Sequence, residues 1–269
     1  MKNLQSNFIL TMNMKTKFII ILFAINSIYS KNISVLFIGN SYTQMNNFSQ
    51  MVSDIAAING DTIIADFSAF DGYTLKKHYS DKKTIDKINS RHWDYVVMQE
   101  QSQRPILDIN AFNEKTFYYA DKLLQIIYDN NIETQPLLFM TWGRKNGDKN
   151  LCKQHPHTCT FEEMQNMLID RYNLLGDMLG IPVVPCGIAW KYFILDSANH
   201  IDLFYEDGSH PSEVGSFLNA VCFYSAITGK SLNVAAYQLQ NITDDEILTL
   251  QKIAFEVIEK YYNQNKNID

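Results

Sequence analysis

Five short apolar runs alternate with stretches of helical period between residues 33 and 228, and few architectures accept that order. The first run, Ile33–Ile38, is almost wholly apolar, the mark of a strand buried on both faces. Thr62–Phe67, Asp94–Met98, Pro136–Thr141 and Val183–Cys186 repeat the signal. Residues 48–58, 111–129 and 161–179 carry helical patterning, and Phe117, Ala120, Leu123, Leu124 and Ile127 share one face of the second stretch. Pro211–Thr228 is expected to be helical with Pro211 in its first turn. A last helix should start at Thr243, where Glu246 completes a capping box. Strands alternating with helices predict an α/β chain: three layers, doubly wound, with a mainly parallel five-stranded sheet and helices on both faces. No repeat, low-complexity linker or compositional break divides residues 31–269, so a single domain is expected there.

Residues 1–30 should stand apart from that domain. Lys15 and Lys17 precede the apolar run Phe18–Ile25, and small or polar residues follow as far as Ser30. This is the pattern of a secretory signal peptide, and the run is too short to span a bilayer comfortably. The expectation is an exported chain, periplasmic or secreted, with no stable membrane insertion after signal removal. A formal charge of −6 without a basic cluster argues against nucleic acid as a partner. Export also gives the four cysteines meaning. Cys152 and Cys159 enclose His155 and His157, so this segment could hold zinc or close a disulfide. The spacing fits none of the usual zinc patterns, and the disulfide is the expectation. Cys186 and Cys222 lie in apolar surroundings and should be buried free thiols.

In a doubly wound sheet, ligands bind beyond the carboxyl ends of the strands, so polar residues just past each run are the candidates. These are Gly39 to Thr43, Asp71-Gly72-Tyr73, Gln99 to Arg104, Trp142 to Asp148 and, in a later loop, Asp207 to Pro211. Ser41 is the candidate nucleophile. Gly39 permits a sharp turn, and a helix opening at Asn40-Ser41 offers its amides to a developing anion. Asp207, three residues before His210, can bond one ring nitrogen and aim the other outward. That supplies the orienting group and general base that a serine hydroxyl needs. Ser209 or Asp207 could instead cap the helix near Pro211, but capping gives no reason for the histidine.

Phe37-Ile-Gly39-Asn40-Ser41-Tyr-Thr43 together with Asp207-x-x-His210 resembles the SGNH/GDSL hydrolases. Trp93-Asp-Tyr-Val-Val-Met-Gln99-Glu-Gln101-Ser, Met140-Thr-Trp142-Gly-Arg144-Lys-Asn-Gly147-Asp and Asp207-Gly-Ser-His210-Pro are similar to the DUF4886 branch. The likeness runs over essentially all of the chain after residue 30. It implies an SGNH, flavodoxin-like fold and a triad of Ser41, His210 and Asp207. It also implies an oxyanion hole that includes the Ser41 and Gly72 amides. The Asp usual before the nucleophile is Asn40 here, and the third-block Asn has no counterpart. Gln99, Gln101 and Gln103 are its substitutes, of which Gln99 and Gln101 lie closest to the strand end.

The function so implied is a serine esterase that cleaves carboxylic, above all acetyl, esters of a small molecule or carbohydrate, with no metal or organic cofactor. Tyr42, Trp142 and Arg144, with Tyr73, are expected at the mouth of the site. A carbohydrate-binding or scaffold protein with an inactive triad is the alternative. Metal-dependent phosphoester hydrolysis through Asp207, His210, His155 and His157 is disfavoured, because no cluster of carboxylates accompanies them.

Overall fold

The computed structural model describes residues 32–196, 198–232 and 237–265, so the signal-peptide reading of residues 1–30 lies outside the described residues. Strand β1 (Ile33–Gly39) runs into a single helical turn, α1 (Ser41–Gln44), and then α2 (Phe48–Ile58). Strand β2 (Ile63–Ala69) is followed by α3 (Leu75–Ser80) and α4 (Lys82–Ile88). After β3 (Tyr95–Met98) come α5 (Ile109–Phe112), a π turn over Asn113–Phe117, and α6 (Tyr118–Asn130). Strand β4 (Gln135–Phe139) leads through a looped segment to α7 (Phe161–Leu179). Strand β5 (Val183–Val184) passes almost directly into α8 (Cys186–Leu195), and α9 (Glu213–Thr228) and α10 (Asp244–Asn265) follow.

The sheet order is β2-β1-β3-β4-β5, and every pairing is parallel. Alternation along β1 builds the layers. Val35 and Phe37 join one core with Phe48 and Val52 of α2, Phe217 of α9 and Leu250 of α10. Leu36 and Ile38 join the other with Leu75, Ile88, Leu123 and Leu168 of α3, α4, α6 and α7. A strand with both faces buried has no polar face to spare, which is why Ile33–Ile38 shows no period of two. From β1 the chain winds outward to β2, then crosses back to β3 on the other side of β1. That reversal leaves a crevice past the carboxyl end of β1, where residues 40 and 41 begin.

The expected α/β architecture is therefore the observed one, with local corrections. The fifth strand ends at Val184 rather than Cys186, because Pro185 cannot donate to the ladder and Cys186 already opens α8. That helix escapes periodicity because apolar residues fill its exposed positions as well as its buried ones: Tyr192 and Leu195 are half exposed, while Cys186, Ala189, Trp190 and Phe193 are buried. Pro211 is not in the first turn of α9: it bridges to Phe204, and Ser212 caps the helix by accepting from Gly215 N at 3.1 Å. The capping box at Thr243 is present, with Glu246 N donating to Thr243 Oγ1 and Thr243 N to Glu246 Oε2. Cys152 and Cys159 are joined, and Cys186 and Cys222 are buried free thiols. No helix among the described residues is long and apolar enough to cross a membrane.

Candidate active site

The turn that presents Ser41 is held from three sides. A Cβ at Gly39 would press into Thr43 Oγ1 and Gln99 Oε1, so this position needs glycine for close approach rather than for a special φ. Asn40 caps α1, its Oδ1 accepting from Tyr42 N at 3.0 Å, and its Nδ2 donates to Tyr73 O at 3.2 Å. Gln99 Oε1 accepts from Asn40 N at 2.9 Å and Thr43 Oγ1 at 3.0 Å, while its Nε2 donates to Glu100 O at 2.6 Å. Gln99 is fully buried, its carbonyl oxygen is taken up by two donors, and it does not line the cavity. The expectation that it reaches an oxyanion is corrected: it braces the nucleophile turn. His78, which carries no motif or spacing signal, holds the same strand end. Its Nε2–H donates to Gly39 O at 2.7 Å and its Nδ1 accepts from Thr84 Oγ1 at 2.9 Å. Burial pushes its pKa down to about 4, so the ring is neutral and serves as a rigid link.

Across 169 positions of sequence, His210 Nε2 sits 2.8 Å from Ser41 Oγ. His210 Nδ1 is bonded to Asp207 Oδ2, and Asp207 Oδ1 accepts from the Ser209 and His210 amides at 2.9 Å each. Partial burial alone would push Asp207 up; the bonds from His210 and these two amides outweigh it and hold the carboxyl below its ordinary value. A short hairpin carries the pair, with Tyr205 N donating to His210 O and Lys145 N to Gly208 O, both at 2.8 Å. Neither Asp207 nor Ser209 caps α9, so the capping alternative falls away.

The place expected for Trp142, at the mouth, is corrected: the residue is fully buried and does not line the cavity. Its ring is the middle of a column, stacked on Tyr42 at 4.7 Å and on Trp190 at 4.0 Å. The indole N–H donates to Ser209 O at 3.0 Å, and Tyr42 OH bonds Ser209 Oγ at 2.6 Å. Tyr42 also meets the His210 ring edge-on at 5.4 Å. The column thus anchors the histidine hairpin, and Trp142 within it does not face ligand. Tyr73 packs on Phe70 and His78.

A cavity of about 610 Å³ opens over Ser41, with Gly72, Gln101, Ser102, Arg144 and Tyr205 among its walls. Tyr42 contributes to the wall although largely buried. Among the described residues, the Ser41 and Gly72 amides donate to no protein acceptor. Gln101 is the one of the three glutamines in the wall; its Nε2 donates one hydrogen to Gln103 Oε1 at 2.9 Å, which leaves a second. Arg144 is paired with the buried Asp148 at 3.1 Å. No group of three or more His, Cys, Asp or Glu side chains that could hold a metal occurs among the described residues.

Glu100 lies beneath this wall, fully buried. Its Oε1 accepts from Gln101 N at 2.7 Å and Leu75 N at 3.2 Å, tying the third-block loop to the start of α3, while its Oε2 has no partner. Burial raises its pKa from 4.5 to about 8, against the lowering effect of those amides, so the native carboxyl keeps a proton that the unfolded chain gives up. This group binds more protons in the native state between those two values, so its contribution to stability is full below about 4.5 and falls as pH rises toward about 8. The slope approaches about 1.4 kcal/mol per pH unit. Glu100→Gln, the neutral isostere, is expected to flatten this dependence in denaturant titrations between pH 6.5 and 8, above the range in which the depressed His78 contributes a slope of opposite sign. A variant that keeps the wild-type slope would place the titration elsewhere.

The fold and site geometry define an SGNH-like α/β architecture, and known structures agree. The chain is similar to a DUF4886 family protein from Bacteroides uniformis, at 19% identity over 85% of this chain and 95% of that one, with a TM-score of 0.72. It is also similar to a provisionally described SGNH hydrolase from Slackia heliotrinireducens (22% identity, 72% and 98% covered, TM-score 0.58). A third likeness is to the acetyl xylan esterase AlAXEase (15% identity, 72% and 100% covered, TM-score 0.56). No family model and no curated protein matches the sequence. These likenesses place the fold with the SGNH/GDSL hydrolases and the DUF4886 branch.

Proposed function

We propose that the chain is an exported, metal-independent serine esterase acting on carboxylic esters, with acetyl esters of carbohydrates as its substrate class. One observation carries the reading: Ser41 Oγ, His210 and Asp207 form a continuous hydrogen-bonded relay at the cavity floor. In this mechanism Ser41 Oγ attacks the ester carbonyl while His210 Nε2 takes its proton. Asp207 fixes the tautomer and stabilises the imidazolium. The unspent amides of Ser41 and Gly72, with the second Nε2 hydrogen of Gln101, receive the oxyanion. His210 then protonates the leaving alcohol, and water repeats the cycle to free the acid. The likeness to an acetyl xylan esterase supports the substrate class, and the polar wall around Gln101, Ser102 and Arg144 suits hydroxylated ligands.

The test is a panel of acetyl, longer-chain and aryl esters offered to the purified protein beside Ser41→Ala. Turnover of acetyl esters by the wild type alone is the expected result. If both proteins bind acetylated sugar and neither hydrolyses it, the binding-module alternative holds. The oxyanion assignment makes a sharper prediction. Gln101→Ala should lower kcat by about 10²–10³ with KM nearly unchanged, since the donor acts mainly in the transition state. A rise in KM with kcat intact would make Gln101 a substrate-binding group only.

A further inference from the structure

We infer that Arg144 is a carboxylate-recognition site in the wall of this cavity, so that the favoured ester carries a free carboxylate; the inference rests on the esterase reading above. Its neighbour Asp148 is buried, with a carboxylate already satisfied without arginine: Oδ1 accepts from Asn150 N at 3.0 Å and Leu151 N at 3.1 Å, and Oδ2 from Gln103 Nε2. Arg144 adds one contact, Nη1 to Oδ2 at 3.1 Å, with side-chain exposure of 30% against 0% for Asp148. This is the only ion pair or hydrogen bond of the guanidinium among the described residues, and its Nε is buried with no partner.

A guanidinium has five N–H donors in a planar fork, and leaving them unspent away from water is costly. An arginine whose role was to neutralise Asp148 would meet it squarely with two bonds. Here the dependence runs the other way, with Asp148 holding Arg144 in place. The backbone around it is equally fixed: Gly143 N donates to Gln165 Oε1 at 2.8 Å, and Lys145 N donates to Gly208 O at 2.8 Å. Among the described residues, Arg144 is the only Lys or Arg in the cavity wall, on a chain of net charge −6 whose general field repels anions. Asp71 and Asp207 also line the wall, Asp207 with both oxygens engaged by the His210 ring and the Ser209 and His210 amides; the fixed fork of Arg144, with free donors, is the wall's match for an incoming carboxylate. That carboxylate can belong to the alcohol part, as in an acidic sugar, or to the acyl part, as in a half-ester of a dicarboxylic acid.

Two matched pairs separate these sources: methyl O-acetyl-glucuronide against methyl O-acetyl-glucoside, and 4-nitrophenyl hemisuccinate against 4-nitrophenyl butyrate. The wild type should favour the acidic member of one pair by at least about tenfold in kcat/KM. Arg144→Gln should bring that ratio close to one. Because the ratio is internal to each protein, loss of folded material does not change it. Should the variant fail to fold, the wild-type ratio decides by itself. Equal rates within both pairs, or a preference that survives in Arg144→Gln, overturn the proposal. Calorimetry of Ser41→Ala with glucuronate, succinate, glucose and butyramide removes the dependence on turnover. Binding of one of the two acids alone, with no ester hydrolysed by the wild type, would keep the carboxylate site and reject the esterase. Binding of neither acid would reject the site even if esters are hydrolysed.

Discussion

Ser41→Ala and His210→Ala are each expected to lower kcat by about 10⁶ on an acetyl ester, and the double variant should be little worse than either. The reason is geometric. Once Oγ is gone, a base 2.8 Å away has no proton to take, and once the imidazole is gone the hydroxyl keeps its proton. Both side chains border an open cavity, so neither truncation removes core packing, and thermal melts of all three variants should stay close to wild type. Losses that multiply in the double variant would mean that the two groups act separately, and the triad assignment would fail.

The second large effect belongs to a residue that never faces the cavity. Trp142→Ala should destabilise the protein by about 3–5 kcal/mol, because a fully buried indole stacked on two rings leaves a void that cannot collapse. It should also lower kcat, since Ser209 loses the indole N–H that fixes the hairpin beside His210. Trp142→Phe separates the two roles. It keeps most of the packing but not the bond to Ser209 O, so kcat should fall with KM nearly constant. Denaturant melts and steady-state kinetics on the two variants check this. An unchanged kcat in both would reduce the column to plain core packing.

The sheet was legible because β1 has no exposed face. Val35 and Phe37 feed one core and Leu36 and Ile38 the other, so a short, continuous apolar run marks a strand covered on both sides. The long helices were legible for the same kind of reason, and residues 161–179 match α7 to the residue. The apolar α8 was not, since Tyr192 and Leu195 stand exposed where polar residues would mark a face, and a helix without a polar face has no period to read. At the site, Ser41, Asp207 and His210 stood out because each combines reactive chemistry with a place past a strand or in a tight loop. What sequence cannot supply is direction. Gln99 and Gln101 are two residues apart, yet one carboxamide is spent on Asn40 and Thr43 and the other reaches the cavity wall. Trp142 suits a sugar platform by composition, and only its stacking on Trp190 shows that it points inward. His78, Glu100 and Asp148 act through the backbone amides and carbonyl they hold, a role that leaves no spacing signature.

Everything in the proposed chemistry depends on Ser41 being an activated nucleophile. The most direct measurement is mass spectrometry of the protein after exposure to an alkyl fluorophosphonate, which bonds covalently to an activated serine oxygen as fluoride leaves. A single adduct on the peptide containing Ser41, formed rapidly in the wild type and not in His210→Ala, is the expected result. An unmodified protein that nonetheless hydrolyses esters, or an adduct on another serine, would contradict it.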